Sequence, residues 1–157
     1  MSFKVLVIVP CGSSKIWGKF PKSKATRAEE AYIGPPFKVN RTFAEKFADK
    51  WVILSAKYGF IDPDFLIPEN YDVSFNDLAT NPISLSELKA QVKRKGLESY
   101  EFVIALGGKN YIEIEKEIFK SSAKVIAPAE GLPMGKAMSF IKSLTKLDKM
   151  QMLKKIL

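Results

Sequence analysis

The chain begins with a continuous apolar run that stops at a turn of small residues. Residues 4–10 read Lys-Val-Leu-Val-Ile-Val-Pro, and residues 11–15 read Cys-Gly-Ser-Ser-Lys. An uninterrupted run of β-branched and aliphatic residues is typical of a strand buried on both faces, as in a parallel sheet. Gly12 and the serines after it let the backbone turn sharply and present its N–H groups. This feature favours an α/β fold whose first turn can face an anion.

The same pattern occurs three more times along the chain. Each later apolar segment is followed by small residues and one lysine. The segments are residues 51–55, 102–106 and 124–127, and the lysines are Lys57, Lys109 and Lys136. Ligands of open α/β sheets bind beyond the carboxyl ends of parallel strands. We therefore predict that these lysines and Lys15 lie at one edge of a sheet and that this edge binds an anionic ligand.

The strand and helix patterns predict a single three-layer, Rossmann-like α/β domain over residues 1–157. Its sheet is mainly parallel, with about four strands in the order 2-1-3-4, and helices cover both faces. A chain of 157 residues can bury a core of this kind without disulfides. The predicted helices span about 24–32, 40–49 (capped by Asn40), 84–95 (capped by Ser84) and 111–120, with two more after Gly131 separated at Thr145-x-x-Asp148.

The composition excludes several kinds of site. The chain has no histidine, which removes Ser-His triads and nearly all zinc sites. Its single cysteine excludes an intramolecular disulfide and fits a reducing cytosol. The apolar runs are too short to span a bilayer, and no signal peptide is visible. We expect a cytoplasmic protein without a cofactor, a bound metal or a membrane partner, and its oligomeric state stays open.

The net charge points to acidic partners. It is +8 with a pI near 9.5, which favours acidic partners, nucleic acid first. Residues 16–37 interleave lysines with Trp17, Phe20 and Tyr32, as a nucleic-acid groove does. The alternative is a solvated loop that its aromatic side chains pin to the core.

Acidic side chains raise the possibility of catalysis. Asp64 and Asp72 lie in a long irregular loop after the second strand, and Glu30 lies in the first loop. Any of the three could act as a general base or stabilise an oxocarbenium ion, although loop acids often only cap turns. Cys11 is a further candidate, because a thiol near Lys15 can have a lowered pKa. The alternative is that Cys11 is a small buried residue.

The anion-binding set follows from the strand ends and their neighbours. The Gly107-Gly108-Lys109-Asn110 turn enters a predicted helix, whose free N–H groups and dipole favour negative charge. It matches neither a Walker A loop nor a dinucleotide fingerprint. The predicted anion- or nucleotide-binding residues are Cys11, Gly12, Ser13, Ser14, Lys15, Arg41, Ser55, Lys57, Tyr58, Gly107, Gly108, Lys109, Gly135 and Lys136.

Several of these residues resemble a known family. Cys11-Gly-Ser-Ser-Lys15, the 28–37 stretch and, most specifically, Leu54-Ser-Ala-Lys-Tyr-Gly59 look like the YaaA-like, or peroxide-stress-like, proteins. The resemblance implies binding to DNA or a nucleotide-like ligand, so DNA is expected as a partner over RNA. It also implies kinship with glycosylase-like α/β proteins and a helix-hairpin-helix element. Residues 131–137 resemble the hairpin of such an element. Here a predicted strand, not a helix, precedes that segment.

Two functions remain open at this point. One is binding of a nucleotide or nucleic-acid phosphate in a crevice at the strand ends. The alternative is an N-glycosidase or base-transferase type of enzyme acting on a nucleotide or modified base in the same crevice. The second needs a carboxylate inside the crevice, whereas the first needs only lysines and backbone N–H groups.

Overall fold

A computed structural model describes residues 3–157. Its strands are β1 (Val5–Pro10), β2 (Thr26–Arg27), β3 (Lys50–Ser55), β4 (Gly59–Ile61), β5 (Leu66–Ile67), β6 (Phe102–Ala105) and β7 (Lys124–Ile126). Its α-helices are α1 (Ile16–Lys19), α2 (Ala28–Ala31), α3 (Pro35–Phe47), α4 (Leu85–Lys95), α5 (Lys109–Phe119), α6 (Met134–Thr145) and α7 (Lys149–Ile156). Short 3-10 turns occur at Leu78–Thr80 and Leu97–Ser99.

The centre of the α/β fold is a mixed sheet of five strands in the order β4-β3-β1-β6-β7. The four longer apolar segments pair in parallel, with β1 between β3 and β6. Their order is the predicted 2-1-3-4, which is confirmed. The direction in which strands are added therefore reverses at β1: β3 lies on one side of β1, and the later strand β6 lies on the other.

The sheet also contains a strand that the sequence pattern did not predict. β4 pairs antiparallel with β3, with Ile53 opposite Ile61. It has only three residues and follows a tight turn, so it is too short to show an alternating pattern. A second small ribbon joins β2 to β5 and holds the first long loop against the loop after β4.

Side chains of the central strand alternate between two apolar clusters. Val5, Val7 and Val9 pack with buried residues of α3, α6 and α7. Leu6 and Ile8 pack with buried residues of α4 and α5. Because successive strand side chains point to opposite faces, the two clusters lie on opposite sides of β1. The continuous apolar run of β1 is the local reason for this arrangement.

Three of the predicted helix starts are wrong. The helix predicted over about 24–32 is reduced to the single turn α2, because residues 26 and 27 pair with β5 as the strand β2. The helix that Asn40 was expected to cap begins at Pro35, and Asn40 is buried inside it. Consecutive prolines suit the first helical positions, where no N–H partner is needed. At the C-terminus, the second helix is capped by Asp148 rather than Thr145, through a capping box with Gln151. The prediction for Ser84 is confirmed, since its hydroxyl accepts from Glu87 N at 3.1 Å.

The segment 131–137 does not form a helix-hairpin-helix. The strand β7 precedes it, a turn over residues 127–132 follows the strand, and α6 begins at Met134. A strand therefore stands where that element has its first helix, and the hairpin expectation is wrong. Within residues 3–157, no helix combines the length and apolar character needed to cross a membrane.

Candidate functional site

A cleft of about 740 Å³ opens at the carboxyl ends of β1 and β6. This is the point where the strand connections change direction, and doubly wound sheets bind their ligands at such points. The turn after β1, the turn after β6 and the first turns of α3 and α6 surround it. Residues lining it include Gly12, Ser13, Ser14, Phe37, Asn76, Gly107, Gly108, Lys109, Asn110, Tyr111, Leu132, Met134, Met138 and Ile141.

Three helices begin at this cleft, and none of them has a side-chain cap. α3 follows Gly34, α5 follows Gly108 and α6 follows Pro133, and no side chain accepts from their first N–H groups. By contrast, α4 and α7 begin away from the cleft and are capped by Ser84 and Asp148. Uncapped N-termini leave N–H donors and positive dipole ends free, but in α3 Pro35 and Pro36 have no N–H, so Phe37 is the first residue there that can donate one. The cleft therefore collects partial positive charge from three directions.

The turn after β1 adds further free donors. Gly12 has a φ of +76°, a conformation that a residue with a Cβ rarely adopts. The N–H groups of Gly12, Ser13 and Ser14 donate to no acceptor within residues 3–157. The turn is instead held by Ser14 O, which accepts from Ile33 N at 3.0 Å. Successive free amides in a turn of this kind form an anion-binding concavity.

Two lysines converge on one aromatic ring beside this turn. Lys15 Nζ lies 4.4 Å from the centroid of the Tyr71 ring, and Lys57 Nζ lies 5.6 Å from it. In the part of the chain that the structure describes, neither ammonium group forms an ion pair with a carboxylate. Lys15 and Lys57 were expected within one pocket; they lie close together, but neither is among the residues that line the cleft. Two uncompensated charges at one place favour an anion there.

A buried hydrogen-bond network fixes Tyr71. Ser55 Oγ accepts from Lys57 N at 3.2 Å and Tyr58 N at 3.1 Å, so its own O–H is left to donate to Tyr71 Oη at 2.9 Å. Tyr71 Oη also bonds Tyr32 Oη. Burial raises the pKa of both tyrosines, and both hydroxyls therefore stay protonated at neutral pH. The network positions the ring on which the two lysines rest.

Cys11 is a buried structural residue in this arrangement. Its side chain is 5% exposed, and Sγ lies 3.3 Å from Tyr111 Oη. Burial raises the pKa of the thiol and outweighs the nearby positive charge of Lys15, which acts in the opposite direction. The expected lowering of the Cys11 pKa is therefore wrong, because desolvation of a thiolate costs more than one partly screened lysine returns.

The other lysines predicted at this edge are less closely placed. Lys109 lines the cleft and lies 3.9 Å from Glu113, at an exposed position. Gly135 and Lys136 lie in the first turn of α6 and are exposed, but they are not among the cleft-lining residues. Arg41 serves a structural role, since it donates to Glu29 O at 2.7 Å and pairs with Glu45. Of the four lysines expected at one edge, only Lys109 lines the cleft, while Lys15 and Lys57 meet at the Tyr71 ring.

The predicted catalytic acids do not reach the cleft. Glu30, Asp64 and Asp72 are all exposed, and none of them lines it. In the segment after β5, Tyr71 is buried, whereas its neighbour Asp72 is exposed. No acidic side chain is among the lining residues within the described part of the chain. The catalytic role stays a prediction without a pocket to support it.

The apolar wall of the cleft was missed by the sequence interpretation. Phe37 comes from α3, and Met138 and Ile141 come from α6. The sequence pattern placed Phe37 in the irregular first loop, and the helical spacing of Met138 and Ile141 predicts core packing only. Which helix face lines a cleft depends on how the helices meet. Asn110 donates to Asn76 Oδ1 across the rim, and both line the cleft. The Gly-rich turns could be predicted since they directly follow strands.

Gly107, in the turn after β6, occupies a position where a larger residue does not fit. Its φ is +110°, and a Cβ there would lie 2.6 Å from Pro10 Cγ, at the end of the neighbouring strand. We expect Gly107→Ala to lower the free energy of unfolding by about 1–3 kcal/mol through backbone strain and steric overlap. Urea denaturation measures this change. Gly108→Ala is the control, since a Cβ there meets no atom within 4 Å and its φ is negative. Equal effects at both positions would contradict the steric account.

Comparisons with known proteins define the family of the chain. The sequence profile of a family described as of unknown function, DUF6884, matches residues 6–143. The chain is also 44% identical over 108 residues to a Bacillus subtilis (strain 168) protein described as uncharacterized protein YfjM, an alignment that covers 69% of this chain and 72% of that protein. No solved structure matches significantly.

These matches correct the resemblance that the sequence motifs indicated. The Leu54–Gly59 motif and the turn after β1 resembled YaaA-like proteins, but both findings point to another family, so that assignment is wrong. Short motifs at strand ends recur in unrelated α/β proteins, because the same backbone geometry requires them. A match over residues 6–143 includes the whole sheet and every turn that lines the cleft. The chain therefore belongs to the DUF6884 family.

Proposed function

We propose that this protein binds a nucleotide, with the phosphate held at the turn after β1 and the base in the apolar part of the cleft. The observation that carries the proposal is the meeting of Lys15 and Lys57 on the Tyr71 ring, next to the free amides of Gly12 to Ser14. A phosphate provides the charge and the acceptor oxygens that such a set of donors lacks.

The other side of the same turn suits an aromatic base. Phe37, Tyr111 and Met138 supply apolar surface, while Asn76 and Asn110 supply donors and acceptors at the rim. A volume of about 740 Å³ lies within the range of roughly 300–1,000 Å³ found for small-molecule sites. We also infer that the domain is a three-layer, Rossmann-like fold, which is supported by the two apolar clusters and by the position of the cleft.

The N-glycosidase alternative has no observation in its favour. Hydrolysis at a glycosidic carbon uses a carboxylate beside the scissile bond. The three acids considered for this role are exposed and lie outside the cleft lining. Cys11 is buried and its thiol pKa is raised, so it does not replace them. We therefore propose binding and leave the chemistry of any turnover out of the account.

A thermal-shift panel tests the proposal. The probes are inorganic phosphate, the common nucleosides and their 5′-monophosphates, each at 5 mM, a concentration chosen to exceed weak dissociation constants. We expect at least one monophosphate to raise the melting temperature more than its nucleoside or phosphate alone. The absence of a shift with every monophosphate would overturn the proposal, and equal shifts with phosphate alone would remove the base from it.

A further inference from the structure

We propose that a groove between α3 and α6 binds the backbone of single-stranded nucleic acid whose terminal nucleotide occupies the cleft. This inference rests on the proposed function and names its ligand as an oligonucleotide. The groove has a volume of about 490 Å³. Its lining residues are Pro35, Lys38, Val39, Thr42, Met138, Lys142, Thr145 and Lys146, and we call it the lysine groove.

The lysine groove is continuous with the cleft. Pro35 and Met138 line both, so the two spaces meet at the first turn of α3 and the second turn of α6. Both helices begin at the cleft and lead away from it, and they pack closely against each other. A chain that leaves the cleft over Pro35 and Met138 therefore enters the groove directly.

The charge of the lysine groove is positive and unbalanced. Lys38, Lys142 and Lys146 are exposed, and none forms an ion pair within residues 3–157. No acidic residue lines the groove, and α6 contains no Asp or Glu. A fourth lysine, Lys46, extends the row by donating to Thr145 O at 2.7 Å. Several unpaired lysines along one groove give the phosphates of a nucleic-acid strand several cations to contact.

The residues that line the lysine groove are better suited to bind a single nucleic-acid strand than a free base or a duplex. The lining has no aromatic side chain to stack on, and its two hydroxyls are used locally, by Thr42 to Lys38 O and by Thr145 to Ile141 O. Contacts there are therefore to phosphates and independent of base sequence. A single strand delivers an unstacked terminal base to the cleft, whereas a duplex must first pay to unpair it.

Fluorescence anisotropy with a labelled 12-nucleotide single-stranded DNA tests the inference. We expect this probe to bind at least tenfold more tightly at 50 mM salt than the best mononucleotide. The Lys38→Ala/Lys142→Ala/Lys146→Ala variant should lose that gain in affinity. Its plot of log affinity against log salt should also be less steep, by about 2, since each neutralised phosphate of a single strand contributes about 0.7 to the slope. Its affinity for the mononucleotide should stay within twofold.

The controls separate failure of this inference from failure of the proposed function. Lys89→Ala/Lys93→Ala/Lys95→Ala removes the same charge from exposed positions on α4, on the other face of the sheet, and should leave the salt slope unchanged. Mononucleotide binding without a gain for the oligonucleotide would overturn the lysine groove alone. If the wild-type protein binds neither the mononucleotide nor the oligonucleotide, both proposals are overturned. Tighter binding of a duplex than of the single strand would also contradict the inference.

Discussion

Replacing Lys15 and Lys57 together by alanine is expected to weaken binding of a nucleoside 5′-monophosphate by about 100-fold. Each ammonium group can make a charge-assisted hydrogen bond to phosphate, and such bonds contribute about 1.5–3 kcal/mol when well placed. The lower end applies here, since Lys57 is exposed. Isothermal titration calorimetry measures the change. Binding of the corresponding nucleoside should stay within threefold, because the lysines lie on the phosphate side of the turn.

A matched double variant controls for total charge. Lys4→Ala/Lys124→Ala removes two exposed lysines at the opposite edge of the sheet, before β1 and at the start of β7. This variant should bind the monophosphate as wild type does, apart from a small long-range effect that salt screens. If both double variants lose affinity equally, the effect comes from net charge and the local site is contradicted.

Replacing Glu115 by leucine is expected to raise the free energy of unfolding by about 1–3 kcal/mol at pH 7, the usual cost of an unpaired buried polar group. Glu115 is 0% exposed in α5, and neither carboxylate oxygen has a hydrogen-bond partner within residues 3–157. The corresponding increase in melting temperature is about 2–4 °C per kcal/mol. Glu113→Leu, an exposed position on the same helix, should change stability by less than about 0.5 kcal/mol.

The pH dependence gives Glu115 a second, independent measurement. Burial raises the pKa of its carboxyl well above the ordinary value of 4.5. Between the two pKa values the folded protein holds a proton that the unfolded chain releases, so stability falls as pH rises from about 4.5 through the raised pKa. Glu115→Gln should remove this decline relative to wild type. A variant less stable than wild type at every pH would mean that Glu115 has a partner in the folded protein.

Glu115 also shows where sequence reasoning fails. The spacing of Tyr111, Ile114 and Ile118 at i, i+3 and i+7 predicts that they form the buried face of α5, and Ile118 is buried. However, the face is rotated, so Ile112 and Glu115 are buried while Tyr111 and Ile114 are partly exposed. The pattern of polar and apolar residues places a charged residue such as Glu115 on the exposed face of a helix, so it cannot predict a carboxylate in the core. Only the packing of α5 onto β6 and β7 reveals it.

The strands and their turns could be predicted because their signals are local. Continuous apolar runs mark β1, β3, β6 and β7, and the turns after β1, β6 and β7 border the cleft, whereas no residue of the turn after β3 lines it. The residues contributed by α3 and α6 could not be predicted, since they depend on how two helices meet over the sheet. The inward position of Tyr71 in place of Asp72 depends in the same way on the bonds to Ser55 and Tyr32.

The location of a bound nucleotide tests the central claim most directly. At 17.6 kDa the protein suits a titration followed by two-dimensional ¹H–¹⁵N NMR, with the monophosphate that gives the largest thermal shift. The account predicts that the largest amide shifts occur at residues 12–15 and 107–111, with little change in α4 and α7. Binding accompanied by shifts centred on α4 or α7, with residues 12–15 unaffected, would contradict it.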